Sequence, residues 1–167
     1  MPTPQVFLSY SRKNDTEAEA LRETLRASGF DVWWDKMILP GQDWKFEIRK
    51  AMKRCGAVLL CLSTEAATGS TSGIYPEALD AIAAYRERKP GEIFLIPVRF
   101  SECEIPPIEI DGTRTLDRLQ HVDLFPPEKR EDGVKRLLAA LREALKIPHD
   151  PEIVREEKGS ESSVEEP

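Results

Sequence analysis

Two uninterrupted apolar runs, Ala57-Val58-Leu59-Leu60-Cys61-Leu62 and Ile93-Phe94-Leu95-Ile96-Pro97-Val98, restrict the folds open to this chain more than any other feature. A strand with one face in water alternates apolar and polar residues. A strand apolar at every position has both faces covered, as in the middle of a parallel sheet packed between helices. Parallel strands also need crossover connections, usually helical, so helical patterns should lie between the strands. They do. Val6-Phe7-Leu8-Ser9-Tyr10 predicts a first strand, and Glu17 to Ser28 a helix with Ala18, Leu21, Leu25 and Ser28 on its inner stripe, stopped at Gly29. Phe30 to Trp34 predicts a second strand. After a loop containing Pro40-Gly41, a helix is expected from Asp43 as N-cap, with Trp44, Ile48, Met52 and Cys55 on one face and Gly56 ending it. A Gly/Ser/Thr-rich loop, Thr64 to Gly73, precedes a helix from about Tyr75 to Arg88. Leu119 to Val122 predicts a last strand, and Val134, Leu137, Leu138, Leu141 and Leu145 stripe a closing helix. The fold class expected is α/β: a flavodoxin-like, five-stranded parallel sheet with helices on both faces.

Length and charge narrow the function classes. At 167 residues the chain has room for one core and a short appendage. No apolar run approaches the roughly 20 residues of a membrane span. Met1 to Gln5 has neither a basic nor an apolar stretch, so a cytoplasmic location is expected. Three cysteines without C-x-x-C spacing, Cys55, Cys61 and Cys103, support neither a disulfide framework nor a metal site. The net charge of −6 disfavours broad binding to nucleic acid or anionic lipid. Much of it sits at the end: residues 146–167 hold three basic and seven acidic residues, a net of −4, with almost no aliphatic periodicity. The domain is therefore placed at 1–145, and 146–167 is read as an acidic flexible tail or linker.

In doubly wound sheets the ligand crevice lies beyond the carboxyl ends of the strands, which selects residues 9–15, 34–43, 63–77 and 99–105. A phosphate-cradling loop there would need glycines after the first strand, where Ser9-Tyr10-Ser11-Arg12-Lys13-Asn14-Asp15 has none. A phosphoacceptor receiver would need an aspartate ending the third strand, which instead runs into Ser63-Thr64. Both are rejected. Ser63 has no histidine on a crevice segment to serve it as base, and His121 and the cysteines are read as structural.

These segments carry Val6-Phe7-Leu8-Ser9-Tyr10-Ser11, Gly29-Phe30-Asp31-Val32-Trp33-Trp34-Asp35 and Ile93 to Arg99, which in this order resemble the Toll/interleukin-1 receptor (TIR) domain family. Val6-Phe7-Leu8-Ser9-Tyr10-Ser11 is similar to its first signature box. Gly29-Phe30-Asp31-Val32-Trp33-Trp34-Asp35 with Leu39-Pro40-Gly41-Gln42-Asp43-Trp44 resembles the second box and its connecting loop. Ile93 to Arg99, then Glu102-Cys103-Glu104-Ile105-Pro106, resembles the fourth-strand region of bacterial members. The resemblance covers residues 5–145 and implies an enzyme, one that cleaves the nicotinamide–ribose bond of NAD+ to give nicotinamide and ADP-ribose or a cyclic ADP-ribose. NAD+ is then substrate, with no cofactor and no metal. It implies Glu77 as the catalytic glutamate, and Pro76 fits a first helical position that puts Glu77 in the first turn, where the helix dipole favours its ionised form by roughly 0.3–1 kcal/mol. The departures are Gly73, where many members carry tryptophan, and Pro76 itself.

Substrate contacts are implied at Tyr10, Ser11, Arg12, Asp35, Trp44 and Ser72. Residue chemistry leaves alternatives open: Arg12 as a phosphate partner or a solvated charge, Asp35 as a site acid or a loop cap, Trp44 as a stacking surface or core. Trp33 and Trp34, being adjacent, face opposite sides of the sheet and read as packing. The resemblance further implies self-association, head to tail, through the loop Lys36, Met37, Ile38, Leu39, Pro40 and Gly41, switched on by an upstream sensor or fused domain in bacterial defence or signalling. A TIR module without activity, acting as an adaptor, is the second reading.

Overall fold

The computed structural model describes residues 6–64 and 76–146, and of Pro76 only the backbone. Met1 to Gln5, most of the Thr64 to Gly73 loop, with Ser72 and Gly73, and the tail beyond Lys146 lie outside the described residues. Strands β1 (Val6–Ser9), β2 (Val32–Trp33), β3 (Ala57–Leu62), β4 (Leu95–Arg99) and β7 (Val122–Asp123) form one parallel sheet in the order β2-β1-β3-β4-β7. That is the flavodoxin-like order expected. Helices α1 (Asp15–Ala27), α2 (Trp44–Arg54), α3 (Pro76–Arg86) and α4 (Arg130–Ala144) complete it.

The apolar runs take the places their composition demands. All six residues of β3 are buried and pair with β1 on one side and β4 on the other. The large aliphatic side chains so covered, Val58, Leu59, Leu60 and Leu62, contribute about 1.5–3 kcal/mol each. Alternation along each strand divides the core. Leu8, Leu59, Val98 and Trp34 pack with Leu21 and Leu25 of α1 and Leu137 and Leu141 of α4. Phe7, Leu60, Trp33 and Phe94 pack on the opposite face with Ile48 and Met52 of α2 and Ile82 of α3. The adjacent Trp33 and Trp34 therefore face opposite sides, as expected.

Two elements differ from expectation. The last strand is Val122–Asp123, because Leu116–Arg118 form a 3-10 turn and Leu119 packs toward the α2/α3 face instead of entering the ladder. Between β4 and that strand lies an antiparallel hairpin, β5 (Glu109–Asp111) and β6 (Arg114–Thr115). The Asp111 carboxylate accepts from the backbone N–H of Thr113 and Arg114, each at 3.0 Å, and from both forks of the Arg114 guanidinium, at 2.8 and 2.6 Å. The guanidinium holds Asp111 below the usual carboxylate range. Arg86 of α3 donates to the carbonyls of Glu109 and Ile110, fastening the hairpin to α3.

Arg99 closes the other edge. Its Nε and Nη2 reach Asp123 at 2.7 and 2.8 Å, its Nη1 donates to the Cys103 carbonyl at 2.7 Å, and its plane lies 5.3 Å from the Phe125 ring centroid. A lysine cannot reproduce a planar fork. Arg99→Lys is expected to lower unfolding free energy by about 1–2 kcal/mol in a urea titration, with an unchanged m-value.

Candidate active site

The carboxyl ends of β1, β2, β3 and β4 lie on one edge of the sheet, since parallel register aligns Ser9 with Leu60, Phe7 with Trp33, and Leu62 with Arg99. Beyond that edge the chain delivers Tyr10, Asp35 and Ser63 directly. Tyr10 is buried, and its hydroxyl donates to Asp35 Oδ1 at 2.9 Å, with Asp15 Oδ1 at 3.4 Å. Burial, and then the Asp35 charge, push the Tyr10 phenol far above its ordinary value, so it stays a donor at any physiological pH. Lys36 Nζ bonds Asp15 Oδ2 at 3.0 Å and lies 4.7 Å from the Trp34 ring centroid, with Arg22 at 4.6 Å from the same ring. Deeper in, Ser63 Oγ donates to Asn14 Oδ1 at 2.5 Å, and Asn14 is buried.

Glu77, in the first turn of α3, is half-buried beside this group. Burial, and after it the negative charge of Asp35, push its carboxyl up from an ordinary 4.5 to about 7, against the opposing pull of Arg12. This corrects the expectation that the helix N-terminus would favour the ionised form. The dipole is worth a few tenths of a kcal/mol to about 1 at an exposed site, and desolvation together with a like charge outweighs it here. Burial and a like charge thus disfavour the Glu77 anion at the carboxyl edge of the sheet.

Similarity to known proteins bears on the same residues. The family model described as "TIR domain" matches residues 6–138. This chain belongs to the TIR domain family. Among solved structures, the TIR domain of the Toll-related receptor TRR-2 from Hydra magnipapillata superposes with a TM-score of 0.65 at 15% identity, over 84% of this chain and 99% of that one. A metazoan TIR-STING receptor from C. gigas, in complex with 2',3'-cGAMP, gives 0.62 at 18% identity; the match covers 84% of this chain but 41% of the receptor. A prokaryotic SEFIR domain gives 0.52 at 17%, over 83% of this chain and 99% of its own. At these identities the likeness is one of fold. No curated protein matches the chain.

The TIR fold brings Tyr10, Asp35, Arg12 and Glu77 into one electrostatic neighbourhood. Ser11 instead caps the 3-10 turn Arg12–Asn14, its Oγ accepting from Lys13 N at 3.3 Å. Arg12 is exposed. Trp44 does not share the buried face of α2: Ile48 and Met52 are covered, while Trp44 stands 37% exposed at the helix start, behind the Asp43 cap that accepts from Phe46 N at 2.9 Å. Ser72 lies outside the described residues.

In the loop, Met37 and Leu39 are exposed, at 41% and 63%, while Ile38 turns in against the α2/α3 core. Leu39 to Gln42 form a turn closed by Gln42 N–H to the Leu39 carbonyl at 3.0 Å and Leu39 N–H to Gln42 Oε1 at 2.7 Å. Gly41 has φ +91°, the left-handed value that the third position of a type II turn requires after proline. Asn14, Asp15 and Lys36 as site-building groups are absent from the sequence reading, because short polar residues after a strand carry no periodic signal. Among the described residues no cluster of His, Cys, Asp or Glu is placed to hold a metal, and no helix is long and apolar enough to cross a membrane. Cys55 and Cys61 are buried, and burial pushes the Cys55 thiol up to about 12.

Proposed function

We propose that this TIR domain is a cytoplasmic NAD+ glycohydrolase with Glu77 as its catalytic carboxylate, Tyr10, Ser11, Arg12, Asp35, Trp44 and Ser72 around the substrate, and activity gained on self-association. The observation that carries the reading is the Glu77 carboxyl, destabilised as an anion by burial and by Asp35. Such an anion gains most when positive charge grows beside it. As the nicotinamide–ribose bond lengthens, its electron pair leaves with nicotinamide and positive charge passes from the pyridinium ring to the ribose. A poorly solvated carboxylate therefore stabilises the transition state more than the ground state. Because nicotinamide departs as a neutral molecule, no second carboxyl is needed as acid, unlike a glycosidase pair. Water then captures the ribosyl cation and releases a proton, giving ADP-ribose; capture by the adenine of the same molecule gives the cyclic product.

The exposed Met37 and Leu39 support loop-mediated, head-to-tail contact between copies. Contacts of that kind do not close and so extend into filaments. They would serve a non-catalytic adaptor equally well, so activity must decide. Protein clustered on a multivalent support is expected to release nicotinamide from NAD+, and the same protein at low concentration is not. Release that does not depend on clustering or on Leu39→Glu would contradict the assembly step. A carboxylate acting as the anion also sets the pH dependence. The rate should fall as pH drops through about 7, where Glu77 takes up its proton. Asp35→Asn removes a like charge and is expected to move the midpoint of that acid limb lower, a shift distinguishable from any change in maximal rate.

A further inference from the structure

The hydroxyl of Tyr10 carries one proton and faces two carboxylates. It stands 2.9 Å from Asp35 Oδ1 and 3.4 Å from Asp15 Oδ1, so the proton lies toward Asp35. Both acceptors are aspartates, and what separates them is the partner of each charge. Asp15 Oδ2 accepts from Lys36 Nζ at 3.0 Å, whereas Asp35 forms no ion pair with any described residue. A carboxylate already neutralised by an ammonium draws a further donor less strongly than one whose charge is unmet. Lys36 is held in its turn. Its ammonium lies 4.7 Å from the centroid of the buried Trp34 ring, which itself packs 6.1 Å from the ring of Tyr10. Attraction between the cation and that ring anchors the ammonium beside Asp15.

We infer that Lys36 is a positioning residue: by neutralising Asp15 it leaves the Tyr10 proton to Asp35, and so fixes the carboxylate that faces the substrate. The inference rests on the reading of Asp35 as a substrate contact. With the phenol on Oδ1, rotation of the Asp35 carboxylate is restrained, and Oδ2 is left to accept from a ribose hydroxyl. Without the ammonium the order reverses. The unpaired Asp15 charge competes for the same proton, the hydroxyl turns to it, and Asp35 loses its one side-chain hydrogen bond among the described residues. The ion pair does little for stability, because both of its side chains are about half-exposed. Its effect is the choice of acceptor.

Lys36→Met keeps the length of the side chain and removes its charge. A crystal structure of this variant should show the Tyr10 hydroxyl closer to Asp15 than to Asp35, the reverse of the wild type. In Lys36→Met/Asp15→Ala no competitor remains, and the hydroxyl should return to Asp35. Turnover by clustered protein should follow the same order. KM for NAD+ is expected to rise about fivefold in Lys36→Met, the worth of one lost hydrogen bond, with kcat within about twofold, and the double variant should recover the wild-type KM. Lys36 also belongs to the loop proposed to meet a second copy, but the loss of an assembly contact would not be repaired by a change at Asp15, which lies in α1. A hydroxyl that stays on Asp35 in Lys36→Met, or a raised KM that Asp15→Ala does not correct, overturns the inference. The crystallographic comparison uses no NAD+, so it decides the choice of acceptor even where a wild type without turnover has refuted the proposed function.

Discussion

Glu77→Gln is expected to make the protein more stable while removing its NAD+ turnover. The two effects have one cause. The anion of Glu77 is held in a half-buried place beside Asp35, so ionising it costs the folded state free energy that the unfolded chain does not spend. The folded carboxyl titrates near 7 and the unfolded one near 4.5, so between those values the folded state binds more protons. Stability on this account falls as pH rises through that window, and the full cost is present above about 7. Discounted for its partial exposure, the cost is about 1–2 kcal/mol. Neutral glutamine escapes it. A melting-temperature gain of a few degrees at pH 8, shrinking to nothing near pH 4.5, is the expected result. Nicotinamide release should fall by about 10²-fold or more, since glutamine cannot balance a developing cation. A substitution that stabilises and inactivates together identifies a group kept for chemistry against its structural cost.

Gly133→Ala is expected to destabilise the fold, although it adds a single methyl. In a helix interior alanine is better than glycine by about 1 kcal/mol, which by itself predicts a gain. Position 133 reverses the sign. Gly133 is buried in the first turns of α4 where the helix passes directly over the end of β7, and a Cβ there would meet the Asp123 carbonyl oxygen at 2.2 Å and a Leu124 methyl at 3.0 Å. The carbonyl is backbone and cannot rotate away. Moving it disturbs Asp123, whose carboxylate is held by Arg99. A net loss of about 2–3 kcal/mol is expected in denaturant titration, with the domain still folded at 20 °C. A stabilised Gly133→Ala would mean that α4 does not sit on β7 at this distance.

How far the sequence alone reaches differs between scaffold and site. Ala57 to Leu62 read as an interior strand, and its alternation with helical patterns gave a doubly wound sheet of flavodoxin-like order, which the fold has. Burial of one entire segment is a strong and redundant signal. The hairpin at Glu109 to Thr115 was not legible, although Asp111-Gly112 is a turn signal, because its strands are too short for alternation to register. Trp44 shows where periodicity is ambiguous: its spacing from Ile48 and Met52 fits a core residue as well as a stacking one, and its place at the end of the helix leaves it partly in solvent. At the site, Glu77 and Asp35 were legible as residues, but their effect on each other was not. They lie 42 positions apart in sequence, and only the fold decides that a first-turn glutamate meets a loop aspartate and burial instead of water.

The most direct test of the central claim is a side-by-side measurement of nicotinamide released from NAD+ by the wild type and Glu77→Gln. Both proteins would be clustered on the same support at pH 8, with equal assembly confirmed by light scattering. Release by the wild type that is lost in Glu77→Gln is the predicted result. Equal release by both, or none from a wild type that has assembled, would contradict it.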